Sequence, residues 1–394
     1  MATPAHTCSL SPKTALLQLG FLVVFSATIN ALSPARKALR LWSTVLLACL
    51  TYLIQESLHQ SCHGSQWRGL GISLAWIQLL SAIDLVTVSS AGPNYGIFPS
   101  LSLLWNLRRI GTPWTVITKD TTQQLPAKPR RADYFSFLLS KVPVTCILYL
   151  VFEIAASAPR PPVALIGQSK QELWSFSDLS AADVSFRIVS SVGFYMSTAI
   201  LLSWIHSTVM TIGVALNVWE PGSWFPLFGS VGEAYTIRKF WGKSSINRYI
   251  AVATVWHQCL RRLVSGPADL ICDSVLRIPR GTLFSRYSRL ILAFAISGGV
   301  HHASDMAVGV PLQDAGGARF FVMQALIIMV EDFVQYVARN SFARTPGRDR
   351  AFKRIGFFWV VCVMAWATPT WTYPLQRLEV DPAAMLPFRV VPLI

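Results

Sequence analysis

A membrane-crossing helix needs about 20 consecutive, mostly apolar residues, and eight stretches of this chain meet or approach that demand. They are residues 14–32, 41–57, 70–88, 137–156, 188–218, 290–306, 320–337 and 355–373. The second and sixth are short, and the fifth is long enough to tilt or to run past the hydrocarbon. Such a chain has few choices, because backbone polar groups in lipid must be satisfied within the segment itself. Composition agrees: 53% of residues are hydrophobic and 13% charged, where a soluble domain carries about 25% charged. The expected fold is an all-α polytopic membrane protein with about eight transmembrane helices. Its long cytoplasmic loops are expected to carry interfacial helices.

The connections test this map. Those after the first, third, fifth and seventh segments hold Arg36, Lys37 and Arg40; Arg108, Arg109, Lys119, Lys128, Arg130 and Arg131; Arg238, Lys239, Lys243, Arg248, Arg261, Arg262, Arg277, Arg280 and Arg286; and Arg344, Arg348, Arg350, Lys353 and Arg354. The alternate connections are nearly bare, with Arg68 after the second and Arg160 and Lys170 after the fourth. The alternation places the odd loops in the cytoplasm and both termini on the far side. It also explains the net charge of +15 without nucleic acid, since the basic residues form no stripe interleaved with aromatics. The seven cysteines show no metal-ligand spacing, and their scatter argues against a bridge between Cys8 and Cys62. No metal site is expected.

Ionisable groups inside spans are costly and are candidates for function: Asp84, Glu153, His206, His301, His302, Glu331 and Asp332. His301 follows Ser297, Gly298 and Gly299, small residues that let helices approach and leave room beside them. Counted from Arg289, twelve residues put it about 18 Å deep. Two readings stay open: a reactive imidazole beside a substrate cavity, or a histidine that only hydrogen-bonds a neighbouring helix. A second cluster lies in the long fifth loop: Phe240, Trp241, Gly242 and Lys243, then Trp256, His257, Gln258, Arg261 and Arg262. Arginines beside tryptophans suit an anionic ligand with an aromatic base, such as coenzyme A. The same residues also suit an amphipathic helix over 246–263 lying in the interface.

Taken in order, Pro226-Leu-Phe-Gly-Ser230, Phe240-Trp-Gly-Lys243, Trp256-His-Gln-Cys-Leu-Arg-Arg262 and Ser297-Gly-Gly-Val-His301 resemble the wax-synthase-like branch of the membrane-bound O-acyltransferase superfamily. Fungal members of that branch acetylate terpenoid and meroterpenoid natural products. Pro279-Arg-Gly281, the stretch from Gln324 to Gln335 with Glu331 and Asp332, Gly356 with Trp359, and Trp371-Thr-Tyr-Pro374 extend the match over about residues 224–374. The resemblance implies one integral membrane acyltransferase domain over 1–394 with its motif-bearing core at 224–374. It implies His301, rather than His302, as catalytic base, and His257 as the second active-site residue. Trp241, Trp256, Gln258, Arg261, Arg262 and Ser297 are the implied substrate and coenzyme A contacts. It further implies acetyl-CoA or another acyl-CoA as co-substrate with no bound cofactor, a hydrophobic small-molecule alcohol as acceptor, the lipid bilayer as environment, and the endoplasmic reticulum as location. One departure stands out: in the family Phe-Trp-Gly runs almost directly into Trp-His-Gln, whereas residues 244–255 intervene here.

The chemistry suits these groups. A base must take the alcohol's proton as it attacks a thioester carbonyl, and a second polar group can hold the oxyanion. Competing readings are long-chain wax or sterol ester synthesis, a membrane transporter using the buried acids, and a scaffold inactivated by the 244–255 insertion. No internal repeat of the kind transporters carry is visible.

Overall fold

The computed structural model describes residues 11–93, 95–109, 111–114, 130–173, 179–223, 227–228, 230–242, 258–341, 346–378, 386 and 388–390. All eight expected helices form: α1 (Pro12–Ala31), α2 (Lys37–Ser61), α3 (Ser65–Ile83), α5 (Arg131–Ala156), α6 (Ala181–Ala215), α9 (Leu283–Val308), α10 (Gly317–Ser341) and α11 (Pro346–Ala367). The loops add the short helices α4 (Ile97–Trp105), α7 (Ile237–Trp241), α8 (Gln258–Leu270) and α12 (Pro369–Arg377). Among the described residues no strand occurs.

Six helices, α1, α2, α3 with its continuation to Val88, α5, α6 and α10, are long and apolar enough to cross a bilayer. A seventh is added if α11 and α12 count as one span, broken at Pro369, which has no N–H to continue the ladder. The chain is thus a multi-pass, all-helical membrane protein. α9 is the helix that hydropathy alone passes over. Arg286, Arg289, Ser297, Gly298, Gly299, His301, His302, Ser304 and Asp305 dilute its apolar content, and it is lined by α3 and α10.

Local signals explain the helix ends. Ser11 caps α1 by accepting from the Thr14 N–H at 3.1 Å, with Pro12 at the first helical position, where no donor is missed. Ser180 and Asp183 cap α6 reciprocally. At 35 residues α6 is about 50 Å long and outruns the roughly 30 Å hydrocarbon core. Thr282 opens α9 through the Ser285 N–H, and Gly309 closes it in the left-handed conformation, φ 116°.

The described chain forms two compact units. The first comprises residues 1–116, 259–341 and 370–380, the second 117–258, 342–369 and 381–394. In the first, α1, α2, α3 and α4 share an apolar core that includes Phe21, Phe25, Ile29, Leu47, Ile72 and Leu104. Polar pairs register these helices: Thr14 with Ser57 at 2.7 Å, Ser26 with Ser100 at 3.1 Å, and Gln18 with Gln78 at 3.0 Å. Arg40, read above as a loop charge, is buried instead and donates to the carbonyls of Leu32, Val86 and Ala91. It thereby satisfies carbonyls that helix ends would leave unpaired. Cys62 is buried and disulfide-bonded.

In the second unit α5 and α6 pack side by side, with Thr145 and Ser207 hydroxyls 2.6 Å apart. Glu153, buried in α5, accepts the Val390 N–H at 2.7 Å, and Tyr149 donates to the Phe388 carbonyl. Glu153 therefore anchors the C-terminal segment. Back in the first unit, Asp273, in the turn after α8, receives hydrogen bonds from Arg280 and Arg289, which hold its carboxyl below the usual carboxylate range.

Candidate active site

His301 lies in α9 on the side that meets α10. The two helices approach closely where Gly298 faces Ala318: a Cβ on Gly298 would sit 3.0 Å from the Ala318 Cα and 3.2 Å from the Phe321 Cβ. A residue with a side chain at that position would push α10, and Phe321 with it, away from His301. Small residues at such crossings are the usual device for helix association in lipid. On the other side of α9, Ser304 bonds Ser73 of α3 at 2.9 Å, and Arg68 donates to the Ala307 carbonyl at 2.6 Å.

The imidazole is held by rings. It stacks on Phe321 with centroids 4.5 Å apart and planes 4° from parallel. Trp371 of α12 meets it at 4.7 Å and 65°. Phe320 stacks on Trp371 in turn, at 5.4 Å. The Trp371 indole N–H donates to Asp305 Oδ1 at 3.0 Å, and the Gly317 N–H donates to Asp305 Oδ2 at 3.3 Å. His301, Asp305, Gly317, Phe321 and Trp371 therefore form one cluster at the meeting of α9, α10 and α12. His302, about 100° further round the helix, is half-buried, and its Nδ1 has no hydrogen-bond partner among the described residues.

The helix starts earlier than the sequence reading assumed. From Leu283, eighteen residues lead to His301 (301 − 283), about 27 Å of rise, and seven more reach Val308 (308 − 301), about 10 Å. His301 is thus nearer the C-terminal end of its helix, and Arg289 lies inside the helix, bonded to Asp269 and Asp273.

The other sequence candidates distribute as follows. Ser297 lies one turn before His301 in α9 and is half-buried. Arg262, in α8, is committed to a buried ion-pair cluster. Its Nε lies 3.0 Å from both Asp84 oxygens and its Nη2 2.7 Å from Ser89 Oγ. Arg109 binds the same Asp84 at 2.9 Å, with both side chains fully buried. Asp84 opens a π-helical turn, Asp84–Val88, at the end of α3, so the acid read as a possible ion-pathway group ties α3 to α8 and to the segment after α4. Arg261 is exposed. Trp241 ends α7 and packs edge-on against Phe240, centroids 5.2 Å apart. Gln258 is the first residue of α8. Trp256, His257 and the 244–255 insertion lie outside the described residues.

Sequence reasoning missed Asp305, although it falls within the expected 290–306 segment and at the i+4 position from His301. An acid one turn from the candidate base was the available signal.

Residues 224–323 match the model of the membrane bound O-acyl transferase family, a stretch that holds His301, Asp305 and Phe321. Acetyltransferase ataH of Aspergillus terreus is 30% identical over 297 residues, covering 72% of this chain and 90% of the relative. The chain belongs to the membrane-bound O-acyltransferase family. Acetyltransferase pyr8 of Aspergillus fumigatus is 26% identical over 414 residues, covering 98% of this chain and 93% of the relative. No solved structure matches this acyltransferase. All eight residues singled out from the sequence, from Trp241 to His301, fall within the matched stretch, while Trp371 lies beyond it.

Proposed function

We propose that this O-acyltransferase moves an acetyl group from acetyl-CoA to a hydroxyl of a hydrophobic alcohol of terpenoid or meroterpenoid type, in the membrane of the endoplasmic reticulum. The whole chain acts as one acyltransferase domain with its motif-bearing core at 224–374. The observation that carries the reading is the ring-clamped imidazole of His301 in a helix lined by α3 and α10. The names of the relatives, acetyltransferases from Aspergillus, support the acetyl donor.

In this scheme a ring nitrogen of His301 takes the proton of the alcohol as its oxygen attacks the thioester carbonyl. The tetrahedral intermediate then expels the coenzyme A thiolate, and the imidazolium returns the proton to that sulfur. Products are the acetate ester and free coenzyme A, with the base regenerated. Removing a general base costs typically 10²- to 10⁴-fold in rate. His257 is proposed as the second polar residue, assisting charge development on the carbonyl oxygen. Trp241, Trp256, Gln258 and Ser297 are proposed substrate contacts. Of the two arginines Arg261 is the better phosphate contact, because Arg262 is already bonded to Asp84.

Co-expression with a panel of terpenoid alcohols, followed by mass analysis, tests the assignment. An added acetyl unit that depends on an intact His301 supports it. Transfer of long acyl chains in place of acetyl would redirect it to wax or sterol ester synthesis.

A further inference from the structure

The proton-transfer scheme leaves Asp305 without a task. It lies one turn beyond His301 in α9 and is buried. Burying an acid among aromatic rings is unfavourable unless its oxygens find donors. Here each oxygen has one, and the two donors come from different elements: the indole of Trp371 in α12, and the backbone of Gly317 at the start of α10. A methyl group at Gly317 would fall 2.7 Å from Asp305 Oδ2, so the acid is fitted closely to that backbone. The two elements it holds also bring the rings that confine His301, Trp371 from α12 and Phe321 from α10.

We infer that Asp305 is a positioning residue for acyl transfer, acting through Trp371 on the ring of His301. The inference rests on the reading of His301 as the base. Phe321 lies flat against one face of the imidazole and the Trp371 indole meets it at a steep angle, so a shift of the indole shifts the ring. The Asp305 bond fixes where that indole stands, and hence where the ring nitrogens point. Asp305 itself need not touch substrate. A displacement of about 1 Å in a reacting group costs roughly a hundredfold in rate.

The test uses the full-length protein in reconstituted membranes, with acetyl-CoA and an accepted alcohol, and reads kcat and both KM values. In Asp305→Asn the one remaining acceptor oxygen can serve only one of the two donors and the amide NH2 opposes the other, so the joint hold of the carboxylate on Trp371 and Gly317 is lost. Trp371→Phe keeps the aromatic packing and removes the N–H. Each is expected to lower kcat about 10²-fold with both KM values nearly unchanged, the pattern of an interaction made in the transition state. The double variant is expected to be no worse than the weaker single, because both changes break one link. The inference is overturned by wild-type kcat in either single variant, by losses that multiply in the double variant, or by a rise in KM at constant kcat. If Asp305→Asn does not insert and fold, Trp371→Phe decides on the same criteria. His301→Ala in the same assay separates the two levels: if it turns over normally, the base assignment fails and the positioning role with it. If it is inactive while Asp305→Asn is normal, the positioning role alone fails.

Discussion

Gly298 and Gly299 are adjacent in α9, yet substituting them with alanine has opposite consequences. A Cβ on Gly299 meets nothing within 4 Å, so Gly299→Ala changes only the helix itself and stabilises it by about 1 kcal/mol. The same gain applies to Gly298→Ala, but there the new carbon lies 3.0 Å from the Ala318 Cα. Ordinary carbon contacts begin near 3.4 Å, so α10 must retreat by about 0.4 Å (3.4 − 3.0). The obstacle is backbone, which cannot swing aside as a long side chain would. Overpacking of this kind costs about 1–3 kcal/mol. Both variants share the propensity gain, so their difference isolates the contact: Gly298→Ala is expected to be about 1–3 kcal/mol less stable than Gly299→Ala. Activity should diverge as well, because the retreat carries Phe321 off the His301 ring. Thermal unfolding of detergent-solubilised protein reads the first difference and initial transfer rates the second. Equal melting temperatures and equal rates for the two variants would refute the close approach of α9 and α10 at this crossing.

Two further outcomes follow from the charged residues. Asp84→Asn strands Arg109 and Arg262, and the loss of a buried partner costs about 3–5 kcal/mol; the folded fraction in detergent extracts should collapse, whereas a role confined to ion movement would leave folding intact. Arg261→Ala should raise the KM for the acyl donor at unchanged stability, while Arg262→Ala should lower the melting temperature; parallel titration of donor and temperature distinguishes them.

Much of the architecture is legible in the residues because lipid permits so few solutions. The eight apolar runs became eight helices, and their starts moved back by two to nine residues, to caps such as Ser11, Ser180 and Thr282. What hydropathy could not show were the pairings that let charge into the interior. Arg40 and Arg109 look like loop cations in the sequence, but carbonyls and one acid 25 positions away in the chain bury them. Glu153 is satisfied by a backbone donor 237 positions away, a contact no local pattern encodes. At the site, the Ser-Gly-Gly-Val-His spacing pointed to His301 and to the tight crossing at Gly298. The clamp from α10 and α12 depends on which helices meet α9, so Phe321 and Trp371 gained a role only once the fold was known. Asp305 was readable in principle from its i+4 spacing within the expected 290–306 segment; its donors, Trp371 and the Gly317 backbone, depend on which helices meet α9.

The direct test of the account is turnover of His301→Ala beside His302→Ala, each purified, shown to be folded by its melting temperature, and given labelled acetyl-CoA with an accepted alcohol. The account predicts that His301→Ala loses about 10²- to 10⁴-fold in kcat while His302→Ala stays within a few-fold of the parent. Comparable turnover by His301→Ala, or the loss falling on His302→Ala instead, would contradict it.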